Sequence, residues 1–404
     1  MLEQGREDRA LPFQKSGKFF ITVENALSAL GDLARFWRDR MAVKVVAITG
    51  SNGKTTTKEM CARVLSRRFQ VLRTEGNLNN LIGLPLMLLK LSPDHEVAVL
   101  EMGMNQPGEI SRLKAIARPQ VSTITNIGRA HLEFLGSMEA VVRAKGELWE
   151  NLMVDDWIAV NRDDPRVAML AAKAPCQKKT FSLAREADLW GADLSRNSAG
   201  GIQFSLHMDG RARQVHLAAF GRHHVYNALA AASLAAALGM DLEEIAAGLQ
   251  GFQPYAGRGK VLLLGRQVHV LDDSYNANPD SLAATLDAFS EMKEKGRGIV
   301  ILGDMLELGA ASAQAHEEAG RRIGEMGLDH LFVIGKEAHH LAAGAEAAGM
   351  ARARIHAAGS QGEMLDELGK RVREGDWILV KGSRRMQMEK VIAGLKELLG
   401  VGKE

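Results

Sequence analysis

The residues Val45 to Lys58, VVAITGSNGKTTTK, put a short apolar strand ahead of a glycine-flanked turn and a helix that opens with Lys54, Thr55 and Thr56. Such a turn aims backbone N–H groups and the positive end of a helix at an anion, and Gly50, Ser51, Asn52 and Gly53 would supply those groups here. Lys54 adds a full positive charge and Thr55 a hydroxyl suited to Mg²⁺, so a nucleoside triphosphate is the first ligand to consider. The usual spacing G-x-x-x-x-G-K-S/T is not met, because Ile48 stands where its first glycine would be. A plain turn carrying a solvated lysine is the alternative reading of this segment taken alone.

Further polar residues fall just after strand-like runs, where open parallel sheets bind their ligands. Glu101 closes the run Val97 to Leu100 and would offer Mg²⁺ a carboxylate beside Thr55. His131 follows the run Val121 to Ile127 in a turn shared with Asn126, Gly128 and Glu133. Lys145 lies on a helix-like segment, where a lysine is ordinarily a solvated charge, and spacing does not promote it. Later in the chain come Arg258 in GRGK and Asp273 in DDSYNANP, a loop rich in Asn and Asp that could hold ribose hydroxyls or simply order itself. Lys381 to Arg384, KGSR, is basic and glycine-containing and suits an anionic group.

The elements that must position these residues alternate. Strands at 43–49, 97–101 and 121–127 are separated by helical patterns near 55–67 and 138–152, which predicts a mostly parallel sheet covered by helices. A β-rich stretch from Ile158 to Leu217 and an alanine-rich helix from Asn227 to Leu238 complete a unit ending near Gly257. Strands at 268–272, 298–302, 330–334 and 377–380 then predict a second α/β unit resembling a Rossmann domain. Ahead of both lie residues 1–41, a polar lead-in and an amphipathic segment from Val23 to Arg40 with Ala26, Leu27, Leu30, Leu33 and Phe36 at helical spacing.

At 404 residues the chain has room for about two or three domains with cores of their own. A net charge of +2 demands neither nucleic acid nor an anionic membrane as partner. The two cysteines, Cys61 and Cys176, have no paired spacing, which argues against a zinc site or disulfide framework and fits a reducing cytoplasm. The first ten residues are charged, unlike a secretory signal, and the longest apolar run, Leu81 to Leu91, is too short to span a bilayer.

Ten segments in order resemble the Mur ligase superfamily: TGSNGKTTTK, TEGNLNNLIGLP, EMGMNQPGEI, TNIGRAHLEFLGS, AKGEL, GRHHVYNALAA, GRGK, DDSYNANPDS, GDMLELG and VKGSRRM. EMGMNQPGEI, DDSYNANP and GDMLELG are similar to the branch that adds D-alanyl-D-alanine to a UDP-N-acetylmuramoyl-tripeptide, while folylpolyglutamate synthase shares the phosphate loop and central fold. The resemblance implies a cytoplasmic, monomeric, ATP-dependent amide ligase of peptidoglycan precursor synthesis working through an acyl phosphate. It implies Lys54 on the β/γ-phosphates, Thr55 and Glu101 on one Mg²⁺, and His131 on a second. Lys145 matches a lysine that carries a CO₂-derived carbamate, an anionic oxygen ligand in place of a cation that would repel the metal. Asn227 is expected near adenine, with Arg258 and Asp273 contacting ATP from the C-terminal domain. His224 stands where many relatives carry asparagine. The domains implied are 42–257 for the central ATP-binding unit and 258–404 for the C-terminal unit, with 1–41 matching only the closing part of a UDP-binding domain that normally has about a hundred residues. Poor affinity for the UDP-linked substrate is therefore expected. A ligase for another acid, or an ATP-binding relative without catalysis, are the competing readings.

Overall fold

In the computed structural model, which describes residues 1–6, 20–196, 201–294 and 296–400, two large sheets carry the chain, preceded by a two-stranded parallel pair, Leu2–Glu3 and Thr22–Val23. Residues 7–19 of the expected lead-in lie outside the described residues, as do 197–200 of the β-rich stretch.

The first sheet has nine strands. Lys44–Thr49 sits between Val97–Glu101, flanked in turn by Val71–Arg73, and Val121–Ile124, which is followed outward by Trp157–Asn161, Gln177–Ser182 and Leu189–Arg196. Those neighbours pair in parallel, and Ile202–Met208 and Arg211–Leu217 extend the sheet as antiparallel strands. Parallel strands covered on both faces read as continuous apolar runs, and Val45 to Ile48 and Val97 to Leu100 are all buried. Because the chain leaves Lys44–Thr49 to build strands on both of its sides, a crevice opens beyond that strand's carboxyl end. The glycine turn is placed there.

Helix Lys54–Leu65 buries Met60, Cys61, Val64 and Leu65 against the helix Arg222–Ala237. The latter starts five residues earlier than the alanine pattern indicated, and it is buried nearly all round, so its small side chains let neighbours approach closely. Three other boundaries are also shorter than expected. Strand Val121–Ile124 ends before Thr125, helix Lys54–Leu65 stops ahead of Arg67, and helix Met138–Gly146 gives way to a 3₁₀ turn at Glu147–Trp149.

The second sheet runs Lys260–Leu264, Val268–Asp273, Trp377–Lys381, Gly298–Gly303, His330–Ile334, Ile355–Ala358. Only its first pair is antiparallel. Its two edges, Lys260–Leu264 and Ile355–Ala358, were not among the expected strands; they are short, and neither shows a clear alternation of apolar and polar residues. Its carboxyl ends carry Asp273 and Lys381 toward the crevice of the first sheet.

Helix Ala26–Arg38, capped by Asn25 through its side chain, turns a different face inward from the apolar stripe read in the sequence. Gly31, Ala34 and Arg38 are buried, whereas Leu27, Leu33 and Phe36 are exposed. Gly31 admits Ile116, and Arg38 Nε donates to Ala117 O at 2.9 Å, so close packing and carbonyl satisfaction decide the buried face here.

Candidate active site

The glycine turn is shaped by what presses on it. Gly50 has φ +146° and Gly53 φ +81°, and a Cβ on either would lie 1.9 Å from Thr125 Oγ1 or 2.2 Å from Asn227 Oδ1. Only glycine fits. The segment after Val121–Ile124 then ties the loop down: Ser51 N donates to Asn126 O, Asn52 N to Asn126 Oδ1, and Thr125 Oγ1 to Asn52 O. Ser51 Oγ donates to Gly128 O at 3.0 Å and accepts from Gly128 N at 2.9 Å. A loop held by so many main-chain bonds is pre-formed for an anion. Lys54 Nζ spans it, donating to Gly50 O at 2.8 Å, and burial lowers its pKa, with Glu101 opposing and Arg258 adding to the effect.

Thr55 gathers two groups from distant parts of the chain. Its Oγ1 donates to Glu101 Oε2 at 2.9 Å and accepts from Arg258 at 3.3 Å. Glu101 is 2% exposed, and its other oxygen accepts from Asn79 Nδ2 at 2.8 Å. Among the described residues no group of three or more His, Cys, Asp and Glu side chains could hold a metal ion alone. Mg²⁺ seldom needs one, since it is ordinarily held by one or two carboxylates with hydroxyls, waters and substrate phosphates. The hard oxygens of Thr55 and Glu101 beside a phosphate-type loop fit that donor set.

Lys145 is 1% exposed, and its Nζ donates to Gly50 O at 3.1 Å from beneath the loop. Burial, and secondarily the charge of Lys54, drive its pKa well below the ordinary lysine value, which favours the neutral amine. This is far from the solvated charge that a lone helical lysine suggests. His131 sits at φ +58°, and its Nδ1 meets Glu307 Oε2 at 2.8 Å, a carboxylate held below its usual range mainly by that hydrogen bond.

The second sheet closes the cleft, whose volume is about 940 Å³. Thr55, Thr56, Glu101, His131, Asn227, Arg258 and Asp273 all line it, while Lys145 lies behind the glycine turn. Arg258 stacks on Tyr275 at 3.8 Å. Asp273 is engaged by Lys381 at 2.5 Å and by Thr285 Oγ1 at 2.7 Å. Lys381 is therefore buried and paired, so the basic KGSR segment offers the cleft Arg384, with Arg385 beside it. Asp272 takes the structural role open to such loops, accepting from Gly257 N and from Ser274. Asn227 accepts from Thr57 Oγ1 at 3.3 Å and walls the turn at Gly53. His224, buried, bonds Phe220 O and abuts Gly259 at the joint between the two units.

Contacts across the two units hold the cleft together. Asn278 Nδ2 donates to Asn52 Oδ1 at 2.7 Å, and Arg129 reaches Asp280 and Glu318, each at 3.1 Å. Asn79, Arg129, Asp280 and Glu307 were not singled out from the sequence. Asn79 and Glu307 sit inside the segments TEGNLNNLIGLP and GDMLELG, but nothing in their spacing names a partner.

Residues 48–235 match the Mur ligase middle domain and 257–384 the Mur ligase glutamate ligase domain. The chain is 34% identical over 390 residues to the UDP-N-acetylmuramoyl-tripeptide--D-alanyl-D-alanine ligase of Bacillus subtilis, covering 96% of this chain and 84% of that one. It superposes on MurF from Acinetobacter baumannii with a TM-score of 0.85 at 35% identity, covering 93% of this chain and 82% of that one. MurF ligase from Thermotoga maritima in complex with ADP gives 0.83 at 28% identity, covering 94% and 85%. With both domain types matched in order around one nucleotide-type cleft, the chain belongs to the Mur ligase family.

Proposed function

We propose that this chain is the ATP-dependent ligase that joins D-alanyl-D-alanine to UDP-N-acetylmuramoyl-tripeptide in peptidoglycan precursor synthesis. The name shared by its relatives supports the substrate pair. The observation that carries the chemistry is the convergence of Glu101 from one sheet and Arg258 from the other unit on the Thr55 hydroxyl, beside Lys54.

A carboxylate is inert to amines until one of its oxygens becomes a leaving group. A tripeptide carboxylate oxygen bonds to the γ-phosphorus of ATP as the bond to the β–γ bridging oxygen breaks. The dipeptide amine then bonds to the acyl carbon, phosphate departs with the C–O electron pair, and the amine nitrogen loses a proton. Mg²⁺, held by Thr55 and Glu101 with a second ion at His131, would neutralise charge on the phosphates. Lys54 and the amides of Gly50, Gly53, Thr55 and Thr56 would hold the phosphate tail, while Ser51 and Asn52, whose amides donate to Asn126, shape the loop around it. Asn227 would meet adenine, and Arg258 and Asp273 the nucleotide from the C-terminal unit, whose docking excludes water. Lys145 would react through its neutral amine with CO₂, releasing a proton, to give an anionic carbamate able to serve as an oxygen ligand.

We assign 42–257 and 258–404 as the two working domains, with 1–41 as the end of a substrate domain, and place the enzyme as a monomer in the cytoplasm. No helix among the described residues is long and apolar enough to cross a membrane. ADP release measured with both substrates and Mg²⁺ tests the reading. It should require D-alanyl-D-alanine and ignore glutamate; release that follows glutamate instead would refute it.

A further inference from the structure

His131 and Glu307 face each other across the domain boundary. Both are non-glycine residues in the left-handed region, at φ +58° and +64°, a conformation L-residues adopt rarely and one that clusters at functional sites. Two bonds join them to each other's segment: His131 Nδ1 to Glu307 Oε2 at 2.8 Å, and Glu133 N to Glu307 O at 3.0 Å. Both side chains line the nucleotide-type cleft. A neutral imidazole that donates from Nδ1 keeps its lone pair on Nε2, and a carboxylate is the partner that enforces this tautomer for metal-binding histidines.

We propose that Glu307 is the positioning residue for His131, fixing the Nδ1–H tautomer and ring orientation so that Nε2 is presented to the cleft only when the C-terminal unit has docked. The inference rests on the metal role of His131 given above. It makes the GDMLELG segment the element that reports domain closure to the metal site. An isolated inter-domain ion pair would instead need a doubly protonated ring, which has no lone pair to offer.

The test uses the full chain with ¹⁵N-labelled histidine and a non-hydrolysable ATP analogue, without metal. The His131 signal is identified by its loss in His131→Gln. A single Nδ1–H tautomer is expected in the parent protein and mixed tautomers in Glu307→Ala, which removes the acceptor, with Glu307→Gln, which keeps one, close to the parent and melting temperatures unchanged. Mn²⁺ titration of the nucleotide complex, followed by electron paramagnetic resonance, should show affinity falling about ten- to a hundredfold in Glu307→Ala. An unaltered tautomer in Glu307→Ala, or an imidazolium ring in the parent at pH 8, overturns the proposal. Mn²⁺ affinity indifferent to His131→Gln would overturn the ligand role beneath it, separably, because the tautomer is read without metal.

Discussion

Replacing Lys145 by alanine separates a chemical role from a structural one. The side chain is 1% exposed, so truncation removes three buried methylenes, a loss of about 2.4 kcal/mol at ~0.8 each. Against that stands the removal of an amine whose polar contact is a single carbonyl, Gly50 O, and an ill-satisfied buried donor costs about 1–3 kcal/mol. Gly50 O is not orphaned, because Lys54 Nζ still donates to it at 2.8 Å. The two effects nearly cancel, so thermal unfolding should shift by no more than a few degrees, at about 2–4 °C per kcal/mol for a domain of this size. Turnover should fall far more, about 10²- to 10³-fold, the loss typical of removing one preorganised charge from a phosphoryl or acyl transfer site. Added formate or acetate should restore part of it by occupying the space of the carbamate oxygens, and CO₂-free buffer should slow the parent but not the variant. Steady-state ADP release and differential scanning fluorimetry read both quantities. Unchanged turnover, or collapse of the fold without carboxylate rescue, would refute the reasoning.

The same lysine gives a pH signature. In CO₂-free buffer, where the amine is unmodified, its folded pKa lies below the ordinary 10.5, so between the two values the unfolded chain binds more protons and stability rises with pH. Lys145→Met should flatten that slope in urea unfolding from pH 7 to 10, and an identical slope would count against the burial argument. His356, pushed down to about 4 mainly by burial with Arg371 adding to it, should cost stability as pH falls from 6.5 toward that value. His356→Gln should lose less between pH 7 and 4.5. Gly53→Ala should weaken ATP binding at least tenfold, since its Cβ meets Asn227 Oδ1; calorimetry should show that binding recovered only in part by Asn227→Ala, which removes the clash but leaves strain at φ +81° of about 1–2 kcal/mol and loses the proposed adenine contact. Arg129→Ala removes two half-exposed ion pairs worth about 0.2–1 kcal/mol each, so small-angle scattering should show a more open average shape, and the parent should approach it at high salt.

The local grammar of this chain was open to reading without coordinates. An apolar run of strand length, two glycines and Lys54-Thr55 point to a phosphate loop even with its first glycine replaced by Ile48, because their chemistry is carried by neighbours in sequence. The alternation of strands and helices likewise determined two α/β units, and the ordered segments their family. Lys145 could not be read this way: its helix looks amphipathic and solvated, and only the packing of that helix beneath Gly50 buries the amine. The inward face of helix Ala26–Arg38 was misjudged for a similar reason, since a glycine and an arginine won the core through shape and carbonyl bonding over larger apolar side chains. Glu307 lies 176 residues from His131. Distance along the chain carries no record of which carboxylate will meet which ring; that is decided when two sheets turn their carboxyl ends toward one cleft, because only there do strand ends remote in sequence become neighbours.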